Sequence, residues 1–147
     1  MHYIEAPQAY TGNEKSIFLA GGITNCPDWQ HELTALLKDE ALVILNPRRK
    51  TFHENPNAAR EQIIWEYKHL RKATAISFWF PKEAICPIAL YELGAWSMTD
   101  KELFIGIHPD YPRRADVEVQ TKLVRPNTWF VYDLCTLADS IKRWSKQ

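Results

Sequence analysis

Apolar residues in this chain fall into short unbroken runs, and amphipathic stretches separate the runs. Ser16-Ile-Phe-Leu-Ala20 is a buried strand stopped by the tight turn Gly21-Gly22. Leu42-Val-Ile-Leu45 is a second, closed by Asn46-Pro47, and Ala75-Ile-Ser-Phe-Trp-Phe80 a third, halted by Pro81. Leu103-Phe-Ile-Gly-Ile107 precedes His108-Pro109 as a fourth, and Thr128-Trp-Phe-Val-Tyr132 is a fifth. Residues 1–15 are polar, with Pro7 and Gly12, and read as a lead-in arm.

The stretches between the runs carry helical spacing. Pro27-Asp28 starts a helix running to about Glu40, with Trp29, Leu33, Leu36 and Leu37 recurring on it. A polar loop from Arg48 to Pro56 follows the second strand. Asn57 is placed to cap a helix to about Lys72, with Ile63, Ile64, Tyr67 and Leu70 on one face. Further helices are expected over Ala84–Thr99, around Ala115–Leu123, and from Asp133 to Trp144. Strand and helix alternate, and the strands are continuous apolar runs. That is the signature of a parallel sheet covered by helices on both faces. Right-handed crossovers make it an α/β, flavodoxin-like, doubly wound sheet of five strands. At 147 residues, with no repeat or linker, the chain reads as a single domain over 1–147. In such folds ligands sit beyond the carboxyl ends of the strands, here at Gly21-Gly22, Asn46-Pro47-Arg48-Arg49, Phe80-Pro81 and His108-Pro109-Asp110.

Composition narrows the partners. Eighteen basic and eighteen acidic residues give zero net charge, which provides no basic face for nucleic acid or an anionic membrane. Arg48-Arg49-Lys50 is long enough to hold one phosphate or carboxylate and no more. Cys26, Cys86 and Cys135 are scattered, without a C-x-x-C, and the five histidines lack metal-ligand spacing. No apolar run approaches membrane-spanning length and no signal-peptide core is present, so the cytoplasm is the expected compartment.

One charge stands out against this background. Glu92 is the lone carboxylate of Ala84–Thr99, a segment apolar enough to read as a helix covered on most sides. A buried, unpaired carboxylate costs several kcal/mol or takes up a proton, so Glu92 is a candidate catalytic group. The structural alternative is a Glu paired with Arg48 or Arg49. Glu66 shares a helical edge with Ile63 and Leu70 and is the second candidate; its alternative is a solvated helix residue. Two carboxyl groups converging on one pocket suit chemistry at an acetal-like carbon, one as nucleophile and one as proton donor. Gly21 and Gly22 permit close backbone approach to a ligand, although the sequence is not a dinucleotide fingerprint. Trp29, Trp65, Trp79 and Phe80 are candidates for stacking on a flat base, or else core residues. Asp110 and Asp116, with His108, read as structural.

The segments Ile17-Phe-Leu-Ala-Gly-Gly-Ile23 with Asp28-Trp29-Gln30, Leu45-Asn-Pro-Arg-Arg49, Gln62-Ile-Ile-Trp-Glu-Tyr67 and Pro87-Ile-Ala-Leu-Tyr-Glu-Leu-Gly94 resemble the nucleoside 2-deoxyribosyltransferase-like family over about residues 16–125. The resemblance implies a flavodoxin-like fold and cleavage of an N-glycosidic bond. Glu92 stands at the family's nucleophile and would form a covalent deoxyribosyl intermediate, which a second nucleobase then takes up. The better-known members carry an Asp where this chain has Cys86, and Glu66 is the candidate for the missing acid. Substrate contacts are expected from Gly21, Gly22, Ile23, Asp28, Trp29, Gln30, Pro47, Arg48, Trp65 and Phe80. The implied partners are a nucleoside and a free nucleobase, with no cofactor or metal and with assembly as a homo-oligomer. Two alternatives stay open. One is a nucleoside or nucleoside 5′-monophosphate N-glycosidase using water, with Arg48-Arg49 on the phosphate; the other is a non-catalytic nucleotide-binding module.

Overall fold

The computed structural model describes residues 1–51 and 55–147. Six parallel strands form one sheet: β1 (His2–Glu5), β2 (Ser16–Gly21), β3 (Val43–Asn46), β4 (Ala75–Phe80), β5 (Glu102–Ile107) and β6 (Phe130–Val131). Among the described residues, α1 (Trp29–Leu36), α2 (Ala58–Lys72), α3 (Pro87–Ser97) and α4 (Arg114–Val124) connect β2 to β6 in turn, and α5 (Leu134–Ser145) follows β6. The spatial order is β1-β3-β2-β4-β5-β6. Part of the polar loop expected from Arg48 to Pro56, residues 52–54, lies outside the described residues.

The helices divide between the two faces. On one face α1 and α5 bury Trp29, Leu33, Leu37, Leu137 and Ile141 against Ile17, Leu19, Ile44 and Trp79. On the other, α2, α3 and α4 bury Trp65, Leu70, Ala89, Leu93 and Val117 against Phe18, Leu45, Phe78 and Ile105. Alternate residues of β2 therefore face opposite cores, which is why its apolar run is unbroken.

The sixth strand corrects the expected count of five. The amino-terminal arm is not a mere lead-in, since His2–Glu5 pairs in parallel with Val43–Asn46. As an edge strand it buries only Ile4 fully, too weak a pattern to read from sequence. Its neighbour helps hold it, as Asn46 Nδ2 donates to Tyr3 Oη at 2.9 Å. At the other edge β6 is shorter than expected, pairing only Phe130 and Val131 with Ile105 and Gly106.

Four further expectations shift. Helix α1 begins where Asp28 caps it, accepting from His31 N at 3.1 Å, but stops at Leu36 rather than near Glu40. Asp39 and Glu40 would have placed acidic charge at the negative end of its dipole. Asn57 precedes α2 without a side-chain capping bond. The buried face of α2 runs through Ala58, Trp65, His69 and Leu70, so Ile63 and Tyr67, 64% and 55% exposed, face outward instead of inward. Nor is α3 covered on most sides: Ile88 and Tyr91 are 63% and 78% exposed. No helix among the described residues is long and apolar enough to cross a membrane.

Candidate active site

The carboxyl end of β2 opens into a cavity of about 430 Å³. Its walls are β2 and its following loop (Phe18, Ala20, Gly21 to Asn25), Pro47 after β3, Glu66 of α2, and the segment Ala84–Ala89 with Glu92. The loop after β2 needs its glycines. A Cβ on Gly21 would run into the Trp79 carbonyl oxygen, and one on Gly22 would lie 2.6 Å from Cys26 Sγ and 2.8 Å from Cys86 Sγ. Trp29 Nε1 and Gln30 Nε2 both donate to the Gly22 carbonyl, at 2.8 and 3.2 Å, which fixes where the loop passes. Asn25 then turns the chain through a left-handed conformation, φ 59°, which Asn tolerates better than most residues.

Arg48 clamps the same loop. Its guanidinium donates to the Cys26 carbonyl at 3.0 Å, the Pro27 carbonyl at 2.8 Å and Gln30 Oε1 at 3.1 Å, and it approaches Asp28 to 3.9 Å. Arg49 is turned the other way, donating from Nε to Gln62 Oε1 at 2.7 Å and from Nη2 to Glu61 at 3.0 Å. Neither arginine lines the cavity.

The opposite wall comes from the start of α3. Cys86, left-handed at φ 56°, precedes the helix, and Pro87 occupies its first turn, where a missing N–H costs nothing. The buried Tyr111 hydroxyl donates to the Ile85 carbonyl at 2.5 Å and holds this segment in place. One and a half turns along, Glu92 reaches the cavity.

Among the described residues, Glu66 and Glu92 are the cavity's two charged residues, both acidic and both half-buried. Burial, and then the charge of Glu66, pushes the Glu92 carboxyl up to about 8. Glu92 has no hydrogen-bond or salt-bridge partner among the described residues. Burial also raises Glu66, against the opposing pull of a hydrogen bond from Gln62 and the positive charge of Arg49. Two facing carboxyls that burial pushes up resist ionising together, and the singly protonated pair offers one carboxylate to attack or stabilise positive charge and one acid to protonate a leaving group. Burial likewise raises both thiols, Cys86 to about 12, so both are neutral groups, Cys86 in the wall and Cys26 beside it.

The expected site residues separate cleanly. Gly21, Gly22, Ile23, Pro47, Glu66 and Glu92 line the cavity together. Trp29 and Gln30 are buried behind the loop and act on it rather than on the cavity. Asp28 caps α1 and Arg48 ties down the loop. Trp65 packs on Phe18 and stacks on His69, and Phe80 lies between Phe78 and Tyr111. Direct substrate contact from Asp28, Trp29, Gln30, Arg48, Trp65 or Phe80 therefore finds no support in the geometry: the aromatics are core, and the polar groups are turned onto backbone. Asn25, Cys86 and Tyr111 shape the cavity without having been singled out as site residues; only the Asn25 turn left a local signal, in its residue type.

A wider groove of about 940 Å³ runs beside the amino-terminal half of β5, where β6 is too short to pair. Arg125, its central cation, donates to the carbonyls of Trp96, Ser97, Thr99 and Lys101. The groove's two carboxylates, Asp100 and Glu102, are exposed, unlike the half-buried Glu66 and Glu92. Among the described residues, no three His, Cys, Asp or Glu side chains are grouped to hold a metal ion.

The sequence model of the family described as "Nucleoside 2-deoxyribosyltransferase like" matches residues 14–111, more than half of the chain, so the chain belongs to that family. The matched span begins just before β2 and ends at Tyr111, and it includes every element that lines the cavity. No curated protein matches the chain.

Proposed function

We propose that this member of the nucleoside 2-deoxyribosyltransferase-like family is a deoxyribosyltransferase that works by double displacement in the cavity at the end of β2. The observation that carries the reading is the convergence of Glu66 and Glu92 on one half-buried cavity whose walls hold no cation among the described residues. Glu92 attacks C1′ of a bound nucleoside as the C1′–N bond breaks, and Glu66 gives its proton to the departing base. The sugar is then held as an ester on Glu92 until a second base, deprotonated by Glu66, attacks C1′. The backbone at Gly21 and Gly22 lies close enough to the cavity to face the sugar or base. The reading includes one domain of flavodoxin-like topology: without the edge strand β1, the five remaining strands run 2-1-3-4-5 in their own numbering. It also includes a homo-oligomer built on the exposed apolar face of α3.

The engagement of both arginines favours an unphosphorylated substrate. Arg48 is turned onto loop carbonyls and Arg49 onto Gln62 and Glu61, so among the described residues a 5′-phosphate in the cavity would meet two carboxyls and no cation. The test is incubation with deoxyinosine and free adenine, followed by chromatography. Deoxyadenosine is the expected product. Its absence across several donor and acceptor bases, with base release into water instead, makes the protein an N-glycosidase. No base release and no sugar trapped on Glu92 by mass spectrometry makes it a binding module.

A further inference from the structure

Two carboxyl groups share the cavity, and the double-displacement reading needs Glu92 ionised and Glu66 protonated when the bond breaks. The hydrogen bonds around the pair point to the opposite arrangement in the empty site. Gln62 decides it. Its side-chain amide has one oxygen and one NH₂ group, and its neighbours leave one way to orient them. The Pro47 carbonyl, 2.7 Å away, can only accept, so it faces the NH₂. Arg49 Nε, 2.7 Å away, can only donate, so it faces the oxygen. The remaining N–H of Gln62 then lies 3.2 Å from Glu66 Oε1 and donates to it. A donor aimed at a carboxyl oxygen favours the ionised form, and Arg49 stands behind Gln62 with positive charge. Glu92 receives no such donor among the described residues.

We propose that Gln62 is the positioning residue of the pair: it makes Glu66 the ionised carboxylate of the empty site and leaves the single proton on Glu92. The described groups facing the pair support this from each element. Helix α2 contributes Gln62 and Glu66, the chain after β3 contributes Pro47 and Arg49, and the start of α3 contributes the neutral Cys86 thiol. The end of β2 and its loop contribute no titratable side chain to the cavity.

The consequence for catalysis rests on the function proposed above. A base nitrogen seating against Glu66 is an acceptor, and protonated Glu66 is its matching donor. Base binding therefore draws the proton across the pair. The O–H bond on Glu92 breaks, an O–H bond forms on Glu66 Oε2, and the negative charge moves to Glu92 without any change in electron count. Glu92 becomes nucleophilic only when a base is present to receive the proton, which protects the empty site from unproductive reaction.

The test is a ¹³C titration of the substrate-free protein carrying glutamate labelled at the δ carbon, with Glu66→Gln and Glu92→Gln assigning the two signals. The Glu66 signal is expected to titrate at lower pH than that of Glu92. Gln62→Leu is expected to move the two midpoints toward each other, Glu66 up and Glu92 down. A Glu66 midpoint above that of Glu92, or a folded Gln62→Leu protein with both midpoints unmoved, overturns the assignment. Should Gln62→Leu fail to fold, the wild-type order decides alone. Substrate plays no part in the titration, so the two readings fail separately. The expected order in a protein without transferase activity overturns only the function. The reverse order in an active transferase overturns only the proton assignment.

Discussion

Cys26 and Cys86 bring their sulfurs to one point above Gly22, where a Cβ would stand 2.6 Å from the first and 2.8 Å from the second. Pro81 closes the same space at 3.1 Å. The two thiols belong to the segments that form facing walls of the cavity, so Gly22 sets how closely those walls approach. Gly22→Ala is expected to overpack this contact and cost roughly 1–3 kcal/mol, read as a lower midpoint in urea unfolding. Gly94→Ala is the contrast. A Cβ there meets nothing within 4 Å, and the position lies inside α3, so replacement gains up to ~1 kcal/mol of helix propensity. Equal destabilisation by both would show that space above Gly22 is not the determinant.

The unpartnered state of Glu92 predicts a stability that changes with pH. Its carboxyl titrates at about 8 in the fold, against 4.5 as the ordinary value. A raised acid binds its proton more tightly folded than unfolded, so its contribution is complete below pH 4.5 and is lost as pH rises through 8. Glu92→Gln keeps the shape and removes the charge. The variant should match wild type at pH 4 and exceed it at pH 9 by a few kcal/mol, on the order expected from such a shift, while losing transfer activity. Parallel stability curves for the two proteins from pH 5 to 9 would falsify the buried-acid account.

His69 predicts the opposite slope. Its Nε2 accepts from the Tyr10 backbone N–H at 3.0 Å, its Nδ1 lies 2.7 Å from the Trp65 carbonyl, and its ring stacks on Trp65. Since Nε2 is an acceptor there, the ring is neutral, and burial lowers its affinity for a proton below the usual 6.5. The unfolded chain then binds the proton more readily. Stability from His69 is present above pH 6.5 and declines as pH falls toward the folded value. Protonation also breaks the bond to Tyr10, so hydrogen exchange at the Tyr10 amide should accelerate below pH 6 ahead of the sheet amides. Exchange there in step with the core would remove His69 from that role.

The strands were legible in the sequence because each central one is buried on both faces and so reads as an unbroken run; β4 occupies the expected Ala75–Phe80. β1 was not legible, because an edge strand with one fully buried side chain leaves no pattern. The same physics misplaced the face of α2. Ile63 and Tyr67 look like core by residue type, while the core takes Trp65 and His69, whose polar atoms are satisfied by the Gln8 carbonyl, the Trp65 carbonyl and the Tyr10 amide. In the site, Glu92 could be picked out because a charge in an apolar segment is conspicuous, and Glu66 because it shares a helical edge with the buried Leu70, although Ile63 on that edge is exposed. The work of Trp29, Gln30 and Arg48 could not be, because a polar group that binds backbone has the same residue type as one that binds a ligand.

Arg48 tests that distinction. Its three donors hold the carbonyls of Cys26 and Pro27 and the Gln30 side chain. Charge-assisted bonds of this kind contribute ~1.5–3 kcal/mol each when intact. Arg48→Ala should therefore lower stability and raise KM by loosening the loop from Ile23 to Asp28. The effect should be the same for a nucleoside and for its 5′-monophosphate. A loss confined to the monophosphate would instead make Arg48 a phosphate ligand and revive the nucleotide reading.

The outer face of α3 carries the last prediction. Ile88 and Tyr91 are exposed on it together with Met98, and Ile63, Tyr67, Val119 and Leu123 of α2 and α4 are exposed on the same side of the sheet. Exposed apolar side chains on the helices of one side of the sheet are costly to leave in water, and a second copy of the same face is a self-complementary cover. Helix α3 also carries Glu92, so contact across this face would brace the cavity wall from behind. Wild-type protein should sediment above the 17.2 kDa of one chain, and Tyr91→Asp should bring it to that mass at equal concentration. Transfer activity should fall with the dimer on dilution of wild type, since the start of α3 loses its support. A wild-type monomer at micromolar concentration with full activity would leave the face without this role and the cavity complete in a single chain.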